Sequence, residues 1–191
     1  MEYLNLAAIR PCTESEGPGK RFAIWSQGCL RHCRGCCNPH MQPLIKKYFV
    51  AVEDLFNLLI RHIEIDGIEG VSFIGGEPLL QAEGFAKLAH LCQEAGLSVL
   101  VFTGYKYEDI LNSDNVDIKR LLSHTDILVD GEFMEDLLDN ERDWVGSTNQ
   151  RVIFLSERYK KGIEYKNRCH KTEIRISSNK IQLNGWPLSL K

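Results

Sequence analysis

Short apolar runs at residues 71–74, 97–102 and 126–129 alternate with stretches of helical period, and this alternation constrains the fold more than any other feature. Val52, Leu55, Phe56, Leu59, Ile60 and Ile63 recur at the 3.6-residue spacing of an amphipathic helix over 52–65. Phe85, Leu88, Leu91, Cys92 and Ala95 do the same over 79–95, where Gly96 supplies the stop. Shorter helical stretches are expected at 107–111 and 116–122, and a further piece through Leu138. A strand that is apolar along nearly its whole length, as 97–102 is, belongs in a sheet covered on both faces. Strand–helix–strand repetition then calls for parallel strands joined by right-handed crossovers. Further strands are expected at 2–10, 21–26 and 151–155. Residues 173–177 and 180–183 read as a hairpin about Ser178-Asn179.

In such a sheet the carboxyl ends of the strands share one rim, where ligands bind. Gly75-Gly76-Glu77, Thr103-Gly104 and Asp130-Gly131 each fall at a strand end. The strand at 21–26 runs straight into Cys29-Leu-Arg-His-Cys-Arg-Gly-Cys-Cys-Asn-Pro-His40. If that strand lies parallel to the others, four strand exits converge on one cavity. Cys29, Cys33 and Cys36 stand at C-x3-C-x2-C with Cys37 directly behind, among Arg31, His32 and Arg34, a polar setting that suits a loop. Thiols clustered in this way either hold a metal or pair as disulfides.

Composition bears on that choice. With 191 residues, 43% hydrophobic and 26% charged, the chain has the make-up of an ordinary globular protein. It is expected to form one domain over 1–191, with 156–191 as an extension carrying the hairpin. A net charge of −3 and no basic stripe argue against a nucleic-acid footprint. There is no charged-then-apolar leader and no run of about 18 apolar residues. The expectation is a cytoplasmic protein without nucleic-acid or membrane partners. In that reducing setting seven cysteines, an odd count, favour metal binding or catalysis over structural disulfides. Structural zinc wants four closed ligands, and Cys169-His170 is the only remote pair on offer. Copper is not excluded by sequence, though nothing requires it. An iron–sulfur cluster held by three thiolates leaves one iron open to a substrate or cofactor. Of the remaining residues, Cys12 reads as a loop thiol and Cys92 as a small core hydrophobe. His32, His40, His62, His90 and His124 read as surface histidines, and Cys169-His170 as an exposed loop. Gly17-Pro18-Gly19-Lys20 lacks the frame of a phosphate loop.

C-x3-C-x2-C followed about forty residues on by a strand ending in Gly75-Gly76-Glu77-Pro78 resembles the radical S-adenosylmethionine superfamily. The ordered set Gly17-Pro18-Gly19-x-Arg21, Gln27-Gly28-Cys29, Gly35-Cys36, Gly75-Gly76-Glu77-Pro78, Thr103-Gly104-Tyr105, Val129-Asp130-Gly131 and Gly146-Ser147-x-Asn149-Gln150 resembles the subgroup that activates anaerobic ribonucleotide reductase. Cys37 stands where that subgroup usually has Tyr, and Val145 where it often has Arg.

The resemblance implies an α/β fold, an incomplete (β/α) barrel with a parallel sheet, to which the C-terminal hairpin is added. It implies that Cys29, Cys33 and Cys36 ligate three irons of a [4Fe-4S] cluster whose fourth iron binds S-adenosylmethionine. Gly35, Cys36, Cys37, Asn38, Gly75, Gly76, Glu77, Thr103 and Asp130 are then the candidate cofactor-binding residues. Cys37 is expected as a neighbour of adenine rather than a ligand, and Glu77 near the cofactor's ammonium group. The implied activity is reductive cleavage of S-adenosylmethionine to a 5′-deoxyadenosyl radical. That radical would make a glycyl radical on a partner enzyme, with a reduced flavodoxin or ferredoxin-type electron donor. A radical enzyme acting on a small molecule or peptide is the alternative. A non-catalytic, metal-stapled interaction module is the reading from another class.

Overall fold

A computed structural model of the chain describes residues 2–166, 171–178 and 180–186. Its main sheet has the order β3-β1-β2-β4-β5-β6-β7, built from β1 (Tyr3–Thr13), β2 (Arg21–Ser26), β3 (Tyr48–Ala51), β4 (Gly70–Gly75), β5 (Ser98–Phe102), β6 (Ile127–Asp130) and β7 (Arg151–Phe154). The helices α1 (Val52–Asp66), α2 (Ala82–Glu94), α3 (Tyr107–Leu111) and α4 (Val116–Ser123) fall between strands, and β8 (Thr172–Ser177) and β9 (Lys180–Gly185) form a separate hairpin. Among the described residues no helix is long and apolar enough to cross a membrane. Cys169 and His170 lie outside the described residues.

The parallel centre is as the sequence predicts: β2, β4, β5 and β6 run parallel in adjacent register. The sheet as a whole is mixed, because β1 and β3 on one flank and β7 on the other pair antiparallel. Strand order from β2 through β6 advances in one direction, so right-handed crossovers place α1, α2 and α4 on a single face. There Phe22, Ile24, Val71, Phe73, Val99, Val101 and Leu128 pack against Leu55, Leu59, Phe85, Leu88 and Leu121. Cys92 is buried in this cluster, as expected.

The alternate residues of the same strands face away from the helices. Ala23 and Trp25 cluster with Ala7, Met41 and Ile74; Leu100, Ile127 and Val129 cluster with Phe102, Val152, Phe154 and Val145. Tyr159 and Ile163, from beyond β7, pack on the second of these clusters. Val145 is fully buried there, which gives an apolar residue a packing reason to stand at that position.

Several local expectations are corrected. β1 runs on through Pro11 to Thr13, and Cys12 is a half-buried strand residue packed on the core, not a loop thiol. β3 pairs only with Tyr3–Leu6, so Pro11 lies past its partner and forfeits no hydrogen bond on that side. Residues 78–81 form a 3-10 turn before α2, consistent with Pro78. The helical piece expected before Leu138 is a single 3-10 turn, Glu135–Leu137: Met134, Leu137 and Leu138 are exposed, so no core rewards a longer helix. His62 is part-buried, bonded to Asp66 at 2.6 Å and edge-on to Phe22.

At the start of β2 the Arg21 side chain is fully buried, and among the described residues it has no carboxylate partner in hydrogen-bonding contact. Its Nε donates to Ser72 Oγ at 2.7 Å, and its terminal nitrogens donate to Ser98 Oγ at 2.9 Å, Val71 O at 2.5 Å and Pro18 O at 3.2 Å. Gly17, at φ +141°, lies over this side chain, where a Cβ would come within 2.5 Å of Arg21 Cδ. Replacing Arg21 with Met leaves two buried serine hydroxyls and a carbonyl short of a donor. We expect chemical denaturation to report a loss of about 3 to 5 kcal/mol; a change under about 1 kcal/mol would contradict this account of the strand's anchorage.

Candidate functional site

The strand exits are joined by hydrogen bonds into one rim. Gly76 N donates to Ser26 O at 2.9 Å, Glu77 N to Gly28 O at 2.8 Å, Thr103 N to Val129 O at 2.9 Å and Gly131 N to Tyr105 O at 3.1 Å. Glu77, 1% exposed, ties two of these exits together. Its Oε1 accepts from Leu79 N at 3.0 Å and Thr103 Oγ1 at 2.9 Å, and its Oε2 from Gly104 N at 2.9 Å. Burial pushes its carboxyl up to about 7, against these three hydrogen bonds and Arg31, which favour the charged form.

The cysteine loop leaves β2 at this rim and closes on itself. Gly28 N donates to Met41 O at 2.8 Å, Cys29 N to Gln42 O at 2.9 Å and Gln27 Nε2 to Pro43 O at 2.8 Å. Gly28 and Gly35 take left-handed conformations, at φ +103° and +72°. Cys29 is buried, Cys33 and Cys36 are half-buried and Cys37 is exposed. Cys29 Sγ accepts from Arg31 N and Cys36 Sγ from Asn38 N, each at 3.4 Å. Burial pushes the Cys29 and Cys33 thiols up. Cys37 has an open surface but crowded neighbours; that crowding, then Cys36 and Glu16, push its thiol up to about 11. Among the described residues no three His, Cys, Asp or Glu side chains are gathered as ligands of one metal ion. Thiolates bound to separate irons of a cubane do not share an ion, so the loop has no need to bring them that close.

Facing this loop is a second layer of structure. Arg31 pairs with Glu132 at 2.9 Å and lies over the Tyr105 ring, 5.0 Å from its centroid; Arg34 pairs with Glu135 at 2.5 Å. Gln150 Oε1 accepts from Gly146 N and Ser147 N at 3.1 Å, and its Nε2 donates to Gly131 O at 2.9 Å. Asn149 Nδ2 donates to Glu132 O at 2.8 Å. The Gly146-Ser147-x-Asn149-Gln150 motif thus stitches the segment after β6 into a wall beside the cysteines.

Between that wall, the helix-free face of the sheet and the β8–β9 hairpin lies a cavity of about 780 Å³. Cys33, Gly35, Cys36, Cys37 and Asn38 line it, as five of the residues singled out in the sequence. Gly75, Gly76, Glu77, Thr103, Asp130 and Cys29 are not in its lining. Gly75 and Gly76 are pressed against the end of β2: a Cβ on Gly76 would collide with the Gly28 carbonyl, and one on Gly75 would come within 2.6 Å of Ser26 N. Asp130 is buried and paired with Arg151, and also accepts from Tyr107 N at 2.8 Å. Sequence reasoning missed Arg10, Glu16, Trp25, Phe133, Trp144 and the β9 residues Ile181 to Gly185, all of which line the cavity. They come from distant parts of the chain, and no local pattern announces their meeting.

Residues 15–153 match the family described as 4Fe-4S single cluster domain. The chain belongs to this family. It is 31% identical over 163 residues to the anaerobic ribonucleoside-triphosphate reductase-activating protein of Escherichia coli K12, covering 80% of this chain and 99% of that one. The phage T4 protein of the same name is 29% identical over 153 residues, covering 78% and 93%. The pyruvate formate-lyase-activating enzyme of Clostridium pasteurianum is 32% identical over 126 residues, covering 63% and 49%. These relationships place the chain among the radical S-adenosylmethionine activating enzymes, for which a [4Fe-4S] cluster and S-adenosylmethionine are the implied cofactors. The residues present fit a cluster: one closed loop carries three thiols, and backbone N–H groups already point at two of the sulfurs.

One buried carboxyl, Glu77, and one half-buried carboxyl in crowded surroundings, Glu16, give the metal-free protein a pH signature. Burial pushes Glu16, like Glu77, up to about 7 from the usual 4.5. The folded state therefore holds protons that the unfolded chain releases, so stability falls as pH rises from about 4.5 to about 7. Glu16→Gln keeps an acceptor for Gly185 N, at 2.8 Å from Glu16 Oε1. In urea titrations across that window the variant should show about half the wild-type loss from these two groups; an unchanged slope would remove Glu16 from the account.

Proposed function

We propose that this chain activates a partner enzyme by making a glycyl radical on it. Cys29, Cys33 and Cys36 would hold the [4Fe-4S] cluster, leaving it open to S-adenosylmethionine. Once bound, the two groups would supply the radical chemistry: one electron and cleavage of the sulfonium to methionine would yield a 5′-deoxyadenosyl radical able to take a hydrogen atom from glycine. The observation that carries this reading is the opening of the three-cysteine loop directly onto the cavity of the helix-free face. A reduced flavodoxin or ferredoxin-type protein supplies the electron, and the partner is of the glycyl-radical class, an anaerobic ribonucleotide reductase or a relative of it.

The chain's own residues position and shield. The base of the loop, fixed at Gly28–Met41 and Cys29–Gln42, sets where the thiols stand. Glu77 locks the rim beneath them through Leu79, Thr103 and Gly104, and with both oxygens engaged its part in holding the cofactor's ammonium is electrostatic. Cys37, with a thiol that resists ionisation, serves as a small neighbour of the adenine and not as a ligand. We read the open sheet as an incomplete barrel whose inner face is the cavity wall, with residues 156–191 an extension of the same unit. One observation favours a second reading, a radical enzyme acting on a small molecule or peptide: β9 residues Ile181 to Gly185 wall the cavity from a segment beyond the family match.

Anaerobic reconstitution tests the ligand assignment. Cys29→Ala, Cys33→Ala and Cys36→Ala should each lose most of the bound iron and sulfide, and Cys37→Ala should retain it. Loss of iron from Cys37→Ala alone would overturn the assignment, and zinc at one per chain without sulfide would overturn the enzymatic reading. Electron paramagnetic resonance of the protein incubated with a co-expressed glycyl-radical enzyme should show the glycyl signal. A modified small product without that signal would favour the second reading.

A further inference from the structure

The cavity wall built by β1 and β9 carries polar groups that the cluster chemistry does not use. Arg10, 8% exposed, donates from one terminal nitrogen to Gln182 Oε1 at 3.3 Å, while its Nε–H is buried with no acceptor among the described residues. Asn184 Nδ2 reaches Ser15 Oγ at 2.7 Å, Thr13 Oγ1 at 2.9 Å and Glu173 Oε2 at 3.4 Å, contacts that fix the orientation of its amide. That leaves Asn184 Oδ1 buried with no donor among the described residues. Both residues line the cavity. A buried donor and a buried acceptor left unmade on one cavity wall are costly unless a ligand completes them.

The surrounding charges narrow the ligand. Arg10 sits in the field of Glu16 and Glu173, with Arg175 opposing them, and Glu14 also lines the cavity. An anion in the cavity would meet Glu14, Glu16 and Asn184; a cation would meet Arg10 and Lys171. A neutral group with one acceptor and one donor satisfies both orphans, and the peptide amide is such a group. Trp25, Trp144 and Trp186, all three tryptophans of the chain, line the same cavity and offer broad apolar surface to the rest of an extended segment. A volume of about 780 Å³ is at the upper part of the range for small-molecule sites, roughly 300 to 1,000 Å³, leaving space beside a bound cofactor.

We propose that Arg10, Gln182 and Asn184 form a peptide-backbone subsite. Arg10 Nε–H donates to a carbonyl and Asn184 Oδ1 accepts from an amide N–H of an uncharged segment held against β1 and β9. Gln182 holds the Arg10 guanidinium in place. This rests on the reading of the chain as a radical enzyme whose hydrogen donor is a polypeptide, and it assigns recognition of that polypeptide to the C-terminal extension. The three are positioning residues, and their effect is on binding.

Because every tryptophan lines the cavity, intrinsic fluorescence of the full-length, metal-free chain reads its occupancy. The probes are N-acetyl-triglycine N-methylamide, the N-acetyl-tri-sarcosine N,N-dimethylamide that lacks every N–H donor, and sodium acetate. Wild-type protein should respond saturably to the triglycine probe and bind the sarcosine analogue about tenfold more weakly, with acetate weaker still. Asn184→Leu should bind both peptides alike, at the weaker level, and Arg10→Lys should weaken both. Equal affinity of wild type for the two peptides, tighter binding of acetate, or no saturation by the triglycine probe would each overturn the subsite. If Asn184→Leu does not fold, the wild-type comparison of the two peptides still decides. Dithionite-driven release of 5′-deoxyadenosine by reconstituted wild type is measured separately; its failure would sink the activation reading without touching the peptide result.

Discussion

The site depends on one buried carboxylate. Glu77 gathers Leu79 N, Thr103 Oγ1 and Gly104 N while its own N–H reaches the Gly28 carbonyl, so three strand exits meet at a single residue. Water is excluded from this junction, which strengthens each bond and makes each unmade one expensive. The same junction sits under Cys29, whose thiol lies in the field of the Glu77 carboxyl. Gly75 and Gly76 belong to this arrangement for steric reasons, because only glycine lets β4 turn against Ser26 and Gly28 without collision. A motif that looks like a ligand cradle in sequence is, in the fold, first a clamp between neighbouring strands.

At the opposite ends of the same strands Arg21 performs the complementary task with neutral acceptors. Its guanidinium bonds Ser72, Ser98 and the Val71 carbonyl, tying the start of β2 to the starts of β4 and β5. The parallel centre is therefore pinned at both ends, by a buried cation at one and a buried carboxylate at the other. Between them the strands carry apolar residues on both faces, which is why they read as continuous hydrophobic runs.

That feature made the centre of the fold legible. Helices α1 and α2, strands β4, β5 and β6, and the convergence of strand exits follow from period and punctuation, since each is encoded within a dozen neighbouring residues. The flanks were less legible. β3 is four residues long and exists through its pairing with Tyr3–Leu6, a contact that leaves no periodic mark. The end of β1 contains Pro11 and several polar residues, so its strand character comes from pairing with β2 and not from propensity. Of the site, the cysteine loop declared itself by spacing. The cavity did not: Arg10, Trp25, Trp144 and Asn184 meet only because the sheet winds in one direction and leaves a face for other segments to cover.

The covering of that face follows from strand lengths. β1 has eleven residues, and β3 pairs with only four of them, so the far part of β1 extends beyond its outer neighbour. An overhanging edge leaves backbone groups open to solvent or to another chain. The hairpin meets that edge: Arg175 donates to Cys12 O at 2.5 Å, Glu14 N to Glu173 Oε1 at 2.6 Å, and Gly185 N to Glu16 at 2.8 Å. Once docked there, β9 alternates its side chains, turning Gln182 and Asn184 toward Arg10, Thr13 and Ser15 and leaving Ile181 and Leu183 exposed. A segment that protects an edge thereby also supplies the polar wall of the cavity. The requirement to cap β1 and the chemistry of that wall are then two consequences of one docking register.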